Sequence, residues 1–140
     1  MLFVIGTTHQ RAPIEVREKL SLTPGNAAAL RAEFGAMPGL REFTVLSTCN
    51  RIEFYGVADA PEVVAQVETA FCGRQGFDAE AFRRIRLDLQ GAETIRHLIE
   101  VSAGLDSQML GETEIFGQVK AAYGEAQANG STGQIGRAHV

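Results

Sequence analysis

The order of strand-like and helical runs in the first 90 residues is the feature that most constrains the fold. Apolar positions at helical spacing, each set following a proline, predict helices over about 24–34 and from 61 to about 73–76. Short apolar or alternating runs predict strands at residues 2–7, 43–48, 52–57 and 85–89. The order strand, helix, strand, strand, helix, strand predicts an α+β fold, a ferredoxin-like split βαβ sandwich.

Beyond Gly91 the pattern becomes helical. We predict a helix over residues 94–103 and a longer one over 115–128. The apolar face of the first is expected to carry Ile95, Leu98, Ile99 and Ser102. The chain therefore divides into a ferredoxin-like part, residues 1–90, and a helical segment, residues 91–140, within one domain.

Composition excludes several classes of protein. Hydrophobic residues make up 45% of the 140 residues and charged residues 21%, which is typical of a soluble globular domain. The start of the chain lacks the basic region of a signal peptide, and no apolar run is long enough to span a bilayer. Two cysteines favour a reducing cytoplasm, and with three histidines at scattered spacing they predict no metal site.

The net charge of -4 argues against nucleic-acid contact as the main source of affinity, although it leaves room for a local basic patch. The one basic cluster consists of Arg83, Arg84 and Arg86. Contact with phosphates and simple solvation are equally good interpretations of this cluster.

The segment from Ser47 to Arg51 places a cysteine between two predicted strands and beside an arginine. An exposed thiol near a positive charge is suited to act as a nucleophile, because the thiolate is the reactive form. Tight turns also carry Ser, Thr and Asn for backbone reasons alone, so chemistry leaves Cys49 evenly balanced between the two interpretations. Cys72 follows Phe71 in an amphipathic helical run, where a small buried side chain is expected.

A second dense polar stretch covers residues 104–120 and includes Asp106, Ser107, Glu112, Glu114 and Gln118. Its glycines permit close approach to a ligand, but acidic residues near a helix start are more simply explained by capping. His97 is similarly ambiguous between a boundary residue and a catalytic one.

Taken together, these motifs resemble the signature of glutamyl-tRNA reductases. The resemblance rests on the run from Ser47 to Arg51 with Glu53, on Gly104-Leu105-Asp106-Ser107, on Gly111-Glu112, on Gly117-Gln118-Val119-Lys120, and on the opening Gly6-Thr7-Thr8-His9 with Ala12-Pro13 and Arg17-Glu18. It implies that Cys49 attacks the ester carbonyl of glutamyl-tRNA and that NADPH reduces the resulting thioester to glutamate-1-semialdehyde, a precursor of 5-aminolevulinate and tetrapyrroles. It also implies that His97 supports activity, that family members dimerise, and that the downstream aminomutase is a partner.

The resemblance further implies which side chains contact the substrate: Thr48, Asn50, Arg51, Ser107, Glu112, Thr113, Glu114 and Gln118. Arg51 is expected either to favour the Cys49 thiolate or to pair with the substrate carboxylate. Glu112 or Glu114 is suited to the substrate ammonium group. His97 is expected to protonate the leaving ribose hydroxyl or to deprotonate Cys49.

Three features depart from the family pattern. Ile52 stands where a threonine is expected, and Glu114 stands where glutamine is usual. The family continues into NADPH-binding and dimerisation domains, which we expect to be absent from these 140 residues. Residues 130–136 have the spacing G-x-x-G-x-x-G with no preceding strand, so they do not match a dinucleotide-binding loop.

Two alternatives to catalysis remain open on the residues. One is a non-catalytic module that binds glutamyl-tRNA or a regulatory partner. The other is a ferredoxin-like regulatory domain that binds a small amino acid. The cysteine in the Ser47–Arg51 run favours the enzyme, since neither alternative needs a thiol.

Overall fold

A computed structural model of the chain describes residues 1–102. This range contains four strands and five helices. They are β1 (Leu2–Thr8), α1 (Ile14–Leu20), α2 (Pro24–Gly35), β2 (Leu40–Ser47), β3 (Arg51–Ala58), α3 (Pro61–Gln75), α4 (Ala79–Ile85), β4 (Leu87–Gln90) and α5 (Ala92–Ser102).

The four strands form one sheet in the order β2-β3-β1-β4, and each neighbouring pair is antiparallel. This order and the alternation of strands with α2 and α3 confirm the predicted ferredoxin-like α+β fold. The register pairs Thr8 with Arg51 and Gly6 with Glu53. The end of β1 therefore lies beside the start of β3, next to the β2–β3 turn.

The larger core lies between one face of the sheet and helices α1 to α4. Phe54 of β3 is at its centre, and its ring centroid lies 5.7 Å from that of Phe34 in α2 and 4.7 Å from that of Phe71 in α3. Phe71 in turn packs edge-on against Phe82 of α4, at 5.6 Å. These side chains are almost fully buried, and aromatic contacts of this geometry add to the hydrophobic stabilisation of the sheet by its helices.

The opposite face of the sheet carries a smaller core covered by α5. Val4, Tyr55 and Leu87 are buried there, with Leu98 of α5 packed against them. Because helices cover both faces of the central strand, all eight residues of β3 are buried. The polar residues Arg51 and Glu53 are consequently enclosed rather than solvated.

Two sequence predictions are wrong in detail. The strand predicted at residues 85–89 begins at Leu87, because Ile85 ends α4, a short helix that the pattern did not predict. Asp78 starts α4 by accepting a hydrogen bond from the backbone N–H of Ala81, and Phe82 anchors the helix in the larger core.

The predicted face of α5 is correct only in part. Leu98 packs against the smaller core as expected, but the buried residues are Thr94, His97 and Val101, and Ile99 is 47% exposed. The helix turns a histidine toward the sheet because β3 presents a carboxylate beneath it. The helix predicted over residues 115–128 lies outside the described residues.

Candidate active site

A three-residue turn, Thr48 to Asn50, joins β2 to β3. The hydroxyl of Thr48 accepts hydrogen bonds from the backbone N–H groups of Asn50 (3.1 Å) and Arg51 (3.2 Å). The backbone N–H of Thr48 also donates to the carbonyl of Arg51 at 2.8 Å. The threonine therefore shapes the turn, as polar turn residues commonly do, and it fixes the backbone on both sides of Cys49.

The two cysteines lie in opposite environments. Cys49 is exposed at the turn, whereas Cys72 is buried in α3 with 3% of its surface accessible. Burial, reinforced by the nearby Glu68 carboxylate, raises the pKa of the Cys72 thiol to about 11. Of the two thiols, only Cys49 is accessible to a substrate, which confirms the predicted contrast in burial.

Arg17 of α1 reaches the same turn. Its Nη1 donates to the backbone carbonyl of Cys49 at 2.7 Å, and its Nε donates to the carbonyl of Ala12 at 3.1 Å. The backbone N–H of His9 donates to the carbonyl of Asn50 at 2.8 Å, so β1 also holds the turn. In the sequence, Arg17 stands out only as part of the opening motif, because nothing local indicates a contact 32 positions away.

A buried polar cluster lies directly beyond the turn, on the α5 side of β3. Glu53 is its centre, with a fully buried side chain. The Nη1 of Arg51 lies 3.3 Å from Glu53 Oε2, and the hydroxyl of Tyr55 donates to Oε1 at 2.8 Å. His97 of α5 places Nε2 2.5 Å from Oε2, and its ring stacks on Tyr55. The structure thus brings together two predicted site residues, Arg51 and His97, through a carboxylate.

Local structure explains why these groups meet. Arg51, Glu53 and Tyr55 alternate along β3, so all three point to the face that α5 covers. The backbone N–H of Gly91 bonds to the carbonyl of Leu2, and α5 then runs back along the sheet until His97 reaches the level of Glu53. The helix therefore runs toward the end of the sheet that carries the β2–β3 turn.

Enclosing charges is costly unless they are paired and hydrogen-bonded. Here a guanidinium, a carboxylate and a histidine ring compensate one another inside the fold. Removing one partner of a buried ion pair typically costs about 3–5 kcal/mol, because the other charge remains buried. Glu53 was part of the sequence motif, but its burial and its contact with His97 depend on α5, which is distant in sequence.

The remaining predicted site residues have varied positions. Thr48 and Asn50 lie in the turn with Cys49. The other predicted substrate contacts, which are Ser107, Glu112, Thr113, Glu114 and Gln118, lie outside the described residues. Residues 1–102 contain no group of three or more His, Cys, Asp or Glu side chains that could hold a metal ion.

The predicted basic cluster is paired with carboxylates. Arg86 contacts Glu68 and lies 3.5 Å from Asp88, and Arg83 lies 3.5 Å from Glu68. Arg84 lies 4.0 Å from Glu80. These pairings favour the interpretation of a compensated surface over that of a phosphate-binding patch. In the described part of the chain, no helix combines the length and apolar character needed to cross a membrane.

Comparisons with known proteins identify the family that this chain resembles. Residues 5–138 match the family described as glutamyl-tRNAGlu reductase, N-terminal domain. Glutamyl-tRNA reductase 2 of Anaeromyxobacter dehalogenans is 40% identical over 132 residues, which cover 94% of this chain and 28% of that protein. Glutamyl-tRNA reductase of Chromohalobacter salexigens is 40% identical over 133 residues, covering 94% of this chain and 31% of that protein.

A solved structure is also similar. Glutamyl-tRNA reductase from Methanopyrus kandleri superposes with a TM-score of 0.72 and 31% identity, over 93% of this chain and 29% of that chain. The chain thus spans less than a third of the length of each of these three relatives.

Proposed function

The chain belongs to the family of the glutamyl-tRNA reductase N-terminal domain, and from this we propose that it carries out the acyl-transfer half of the reductase reaction. Cys49 takes the glutamyl group from glutamyl-tRNA as a thioester. In the complete enzyme NADPH reduces this thioester to glutamate-1-semialdehyde, which leads to 5-aminolevulinate and tetrapyrroles. Dimerisation and delivery of the product to the aminomutase belong to that complete enzyme in this proposal.

One observation carries the proposal: the accessible thiol of Cys49 lies on a turn held by its own threonine and by two other parts of the fold. Thr48 fixes the turn from within, His9 binds the carbonyl of Asn50, and Arg17 binds the carbonyl of Cys49 itself. A nucleophile held in one position loses little entropy when it meets its target. A solvated cysteine with a purely structural role would not need this support.

The proposed step is an ordinary transesterification. The thiolate sulfur of Cys49 attacks the ester carbonyl carbon, and the bond between that carbon and the ribose oxygen breaks. The thiol loses its proton before or during the attack, and the ribose oxygen gains one as it leaves. Tetrahedral intermediates of this kind need a group that moves protons. His97 is proposed for this task, and Thr48 and Asn50 are proposed to contact the substrate together with the predicted residues beyond 102. The side chain of Arg51 is fully buried against Glu53, so we propose that it acts on the site through that carboxylate.

The chemistry assigned here to residues 1–102 does not include the hydride transfer. A dinucleotide-binding loop needs three glycines between a strand and a helix. In the described range, β1 reaches α1 through residues 9–13, which contain no glycine. β3 reaches α3 through Asp59 and Ala60, and β4 reaches α5 through Gly91 alone. These connections do not fit NADPH, so we assign no step to the cofactor on these residues.

Intact mass after incubation with glutamyl-tRNA tests the proposal, with acid quenching to preserve the thioester. The wild-type chain should gain the mass of one glutamyl residue, and Cys49→Ser should not gain a thioester. Cys72→Ala is the matched control, because it removes the buried thiol and should leave the adduct intact. Binding of charged tRNA without any adduct on wild type would instead support the non-catalytic module.

A further inference from the structure

Both carboxylate oxygens of Glu53 are engaged by donors that come from two elements. Oε1 accepts from the Tyr55 hydroxyl at 2.8 Å, while Oε2 lies 3.3 Å from Arg51 Nη1 and 2.5 Å from His97 Nε2. The side chains of Glu53 and Arg51 are both fully buried. The protonation state of Glu53 therefore constrains the protonation of each group that contacts it.

The charge on Glu53 follows from these neighbours. A guanidinium is always protonated, and an enclosed positive charge requires a negative partner beside it. An ionised carboxylate can only accept hydrogen bonds. The nitrogen of His97 that faces it, Nε2, must therefore carry a hydrogen, as expected for a short charge-assisted contact.

We propose that Glu53 is a positioning residue that keeps Nε2 of His97 protonated, so that Nδ1 is the ring nitrogen that exchanges a proton during acyl transfer. The catalytic part of this inference rests on the proposed function, whereas the protonation state of the ring does not. A neutral imidazole has one N–H and one lone pair, and a fixed acceptor at one nitrogen decides where the lone pair lies. Glu53 supplies that fixed acceptor.

Tyr55 helps to fix the orientation of the His97 ring. Tyr55 stacks on His97 with ring centroids 6.4 Å apart and planes 26° from parallel. Because Tyr55 also donates to Glu53, the same strand supports the carboxylate and the plane of the imidazole. A purely structural role for Glu53, balancing the charge of Arg51, would impose the same tautomer but would leave the rate of acyl transfer independent of it.

Nitrogen-15 NMR of the imidazole rings in the wild-type chain tests the tautomer directly. The chain has three histidines, and the His97 signals are identified by their loss in His97→Gln. At a pH where this ring is neutral, we expect hydrogen on Nε2 and the lone pair on Nδ1. Hydrogen on Nδ1 instead would overturn the inference, whether or not any variant folds.

Glu53→Gln provides the second measurement. The amide keeps the shape of the side chain but offers donors as well as an acceptor, so the His97 ring should populate the Nδ1–H tautomer. Glutamate release from glutamyl-tRNA should fall by between about 10-fold and 10⁴-fold, the upper limit being the loss seen when an orienting carboxylate is replaced by its amide in a serine protease. Unchanged tautomer and turnover in a folded Glu53→Gln would refute the positioning role.

Tyr55→Phe is the matched control, since it removes one hydrogen bond to the same carboxylate and leaves the His97 contact in place. It should keep the Nε2–H tautomer and lose much less turnover than Glu53→Gln.

Different results would contradict the proposed function and the proposed role of Glu53. Absence of a Cys49 adduct on wild type defeats the proposed function, whereas an adduct together with an Nδ1–H ring defeats only the role of Glu53.

Discussion

Arg17 donates a hydrogen bond of 2.7 Å to the backbone carbonyl of Cys49, and so links α1 to the turn that carries the exposed thiol. The same guanidinium binds the carbonyl of Ala12, so it spans the entry to α1 and the turn at once. A cation at this position restrains the backbone of the cysteine and adds positive charge beside the turn. Positive charge favours the approach of an anionic group.

Arg17→Ala should therefore slow the alkylation of Cys49 at neutral pH. Loss of a charge-assisted contact that is partly solvated should also lower the free energy of unfolding by about 1 kcal/mol. Arg41→Ala is the control, because it removes a solvent-exposed pair with Asp59 and leaves the turn untouched. The measurement is the rate of alkylation with iodoacetate, an anionic reagent, followed by mass spectrometry. Equal rates in Arg17→Ala and wild type would contradict this role of Arg17.

The two cysteines should differ sharply in reactivity. With a pKa of about 11 and a buried sulfur, Cys72 is almost entirely a protonated thiol at pH 7. We expect alkylation of the folded protein at Cys49 alone, and labelling of Cys72 only after denaturation. Peptide mapping over time distinguishes the sites, and comparable rates at both cysteines would count against a catalytic Cys49.

The raised pKa of Cys72 also has a consequence for stability. Its folded-state pKa of about 11 lies above the ordinary value of 9.0, so the neutral thiol is the form that the fold favours. The associated stabilisation is complete below pH 9 and is lost as the pH rises toward 11. Denaturant unfolding at pH 8 and pH 10.5 should show a larger decrease for wild type than for Cys72→Ala.

Gly6 is required where β1 passes β3 beside Glu53. A Cβ built at this position would lie 2.1 Å from the carbonyl oxygen of Ile52 and 2.8 Å from the Cα of Glu53. Backbone atoms cannot move aside as a flexible side chain can, so Gly6→Ala should cost at least the roughly 1–3 kcal/mol typical of overpacking. Gly25→Ala in α2 meets nothing within 4 Å and should be neutral or slightly stabilising. Denaturant unfolding of both variants measures the difference.

The sequence predicted the strand order and the longer helices because hydrophobic spacing carries that information. It missed α4, since seven residues with one buried position, Phe82, give too short a pattern to recognise. It misjudged α5 for a different reason. Periodicity assumes that a buried face is apolar, whereas α5 presents His97 to a carboxylate 44 positions earlier in the chain.

Prediction of the candidate site from local sequence patterns has the same limit. Cys49 could be singled out as a candidate only through the family resemblance of its motif, because turn residues and a thiol in one short segment fit a structural turn equally well. The supporting contacts of Arg17 and Glu53 could not, because each joins parts of the chain that only the folded sheet brings together. The motif therefore pointed to Cys49 as the proposed nucleophile. It did not indicate that Arg17 holds the turn with Cys49, or that Glu53 holds His97, the proposed proton carrier.

Once Cys49 has accepted a glutamyl group, this 140-residue chain should lose it slowly to water. Residues 1–102 contain no connection that fits a dinucleotide, and residues 130–136 have the wrong glycine spacing for one. Water is then the acceptor for the thioester, so the chain should release glutamate and uncharged tRNA slowly, at a rate that NADPH does not change. NADPH-dependent formation of an aldehyde by these residues would contradict this expectation.

Variants separate the chemical steps of this slow hydrolysis. Cys49→Ser should abolish thioester-dependent release, and undiminished release would exclude the covalent route. His97→Ala should reduce release by about 10²–10⁴-fold, the usual value of general acid–base assistance, while Cys49 remains open to alkylation. The alkylation of the two cysteines distinguishes a loss of proton transfer from a loss of folded structure in His97→Ala. Cys49 lies on the β2–β3 turn, whereas His97 lies on α5. If His97→Ala exposed Cys72 to alkylation, the histidine would be needed for the fold itself, whereas slower alkylation of Cys49 alone would indicate that His97 deprotonates that thiol. Measuring glutamate release and alkylation on the same samples therefore decides between proton transfer and a structural role for His97.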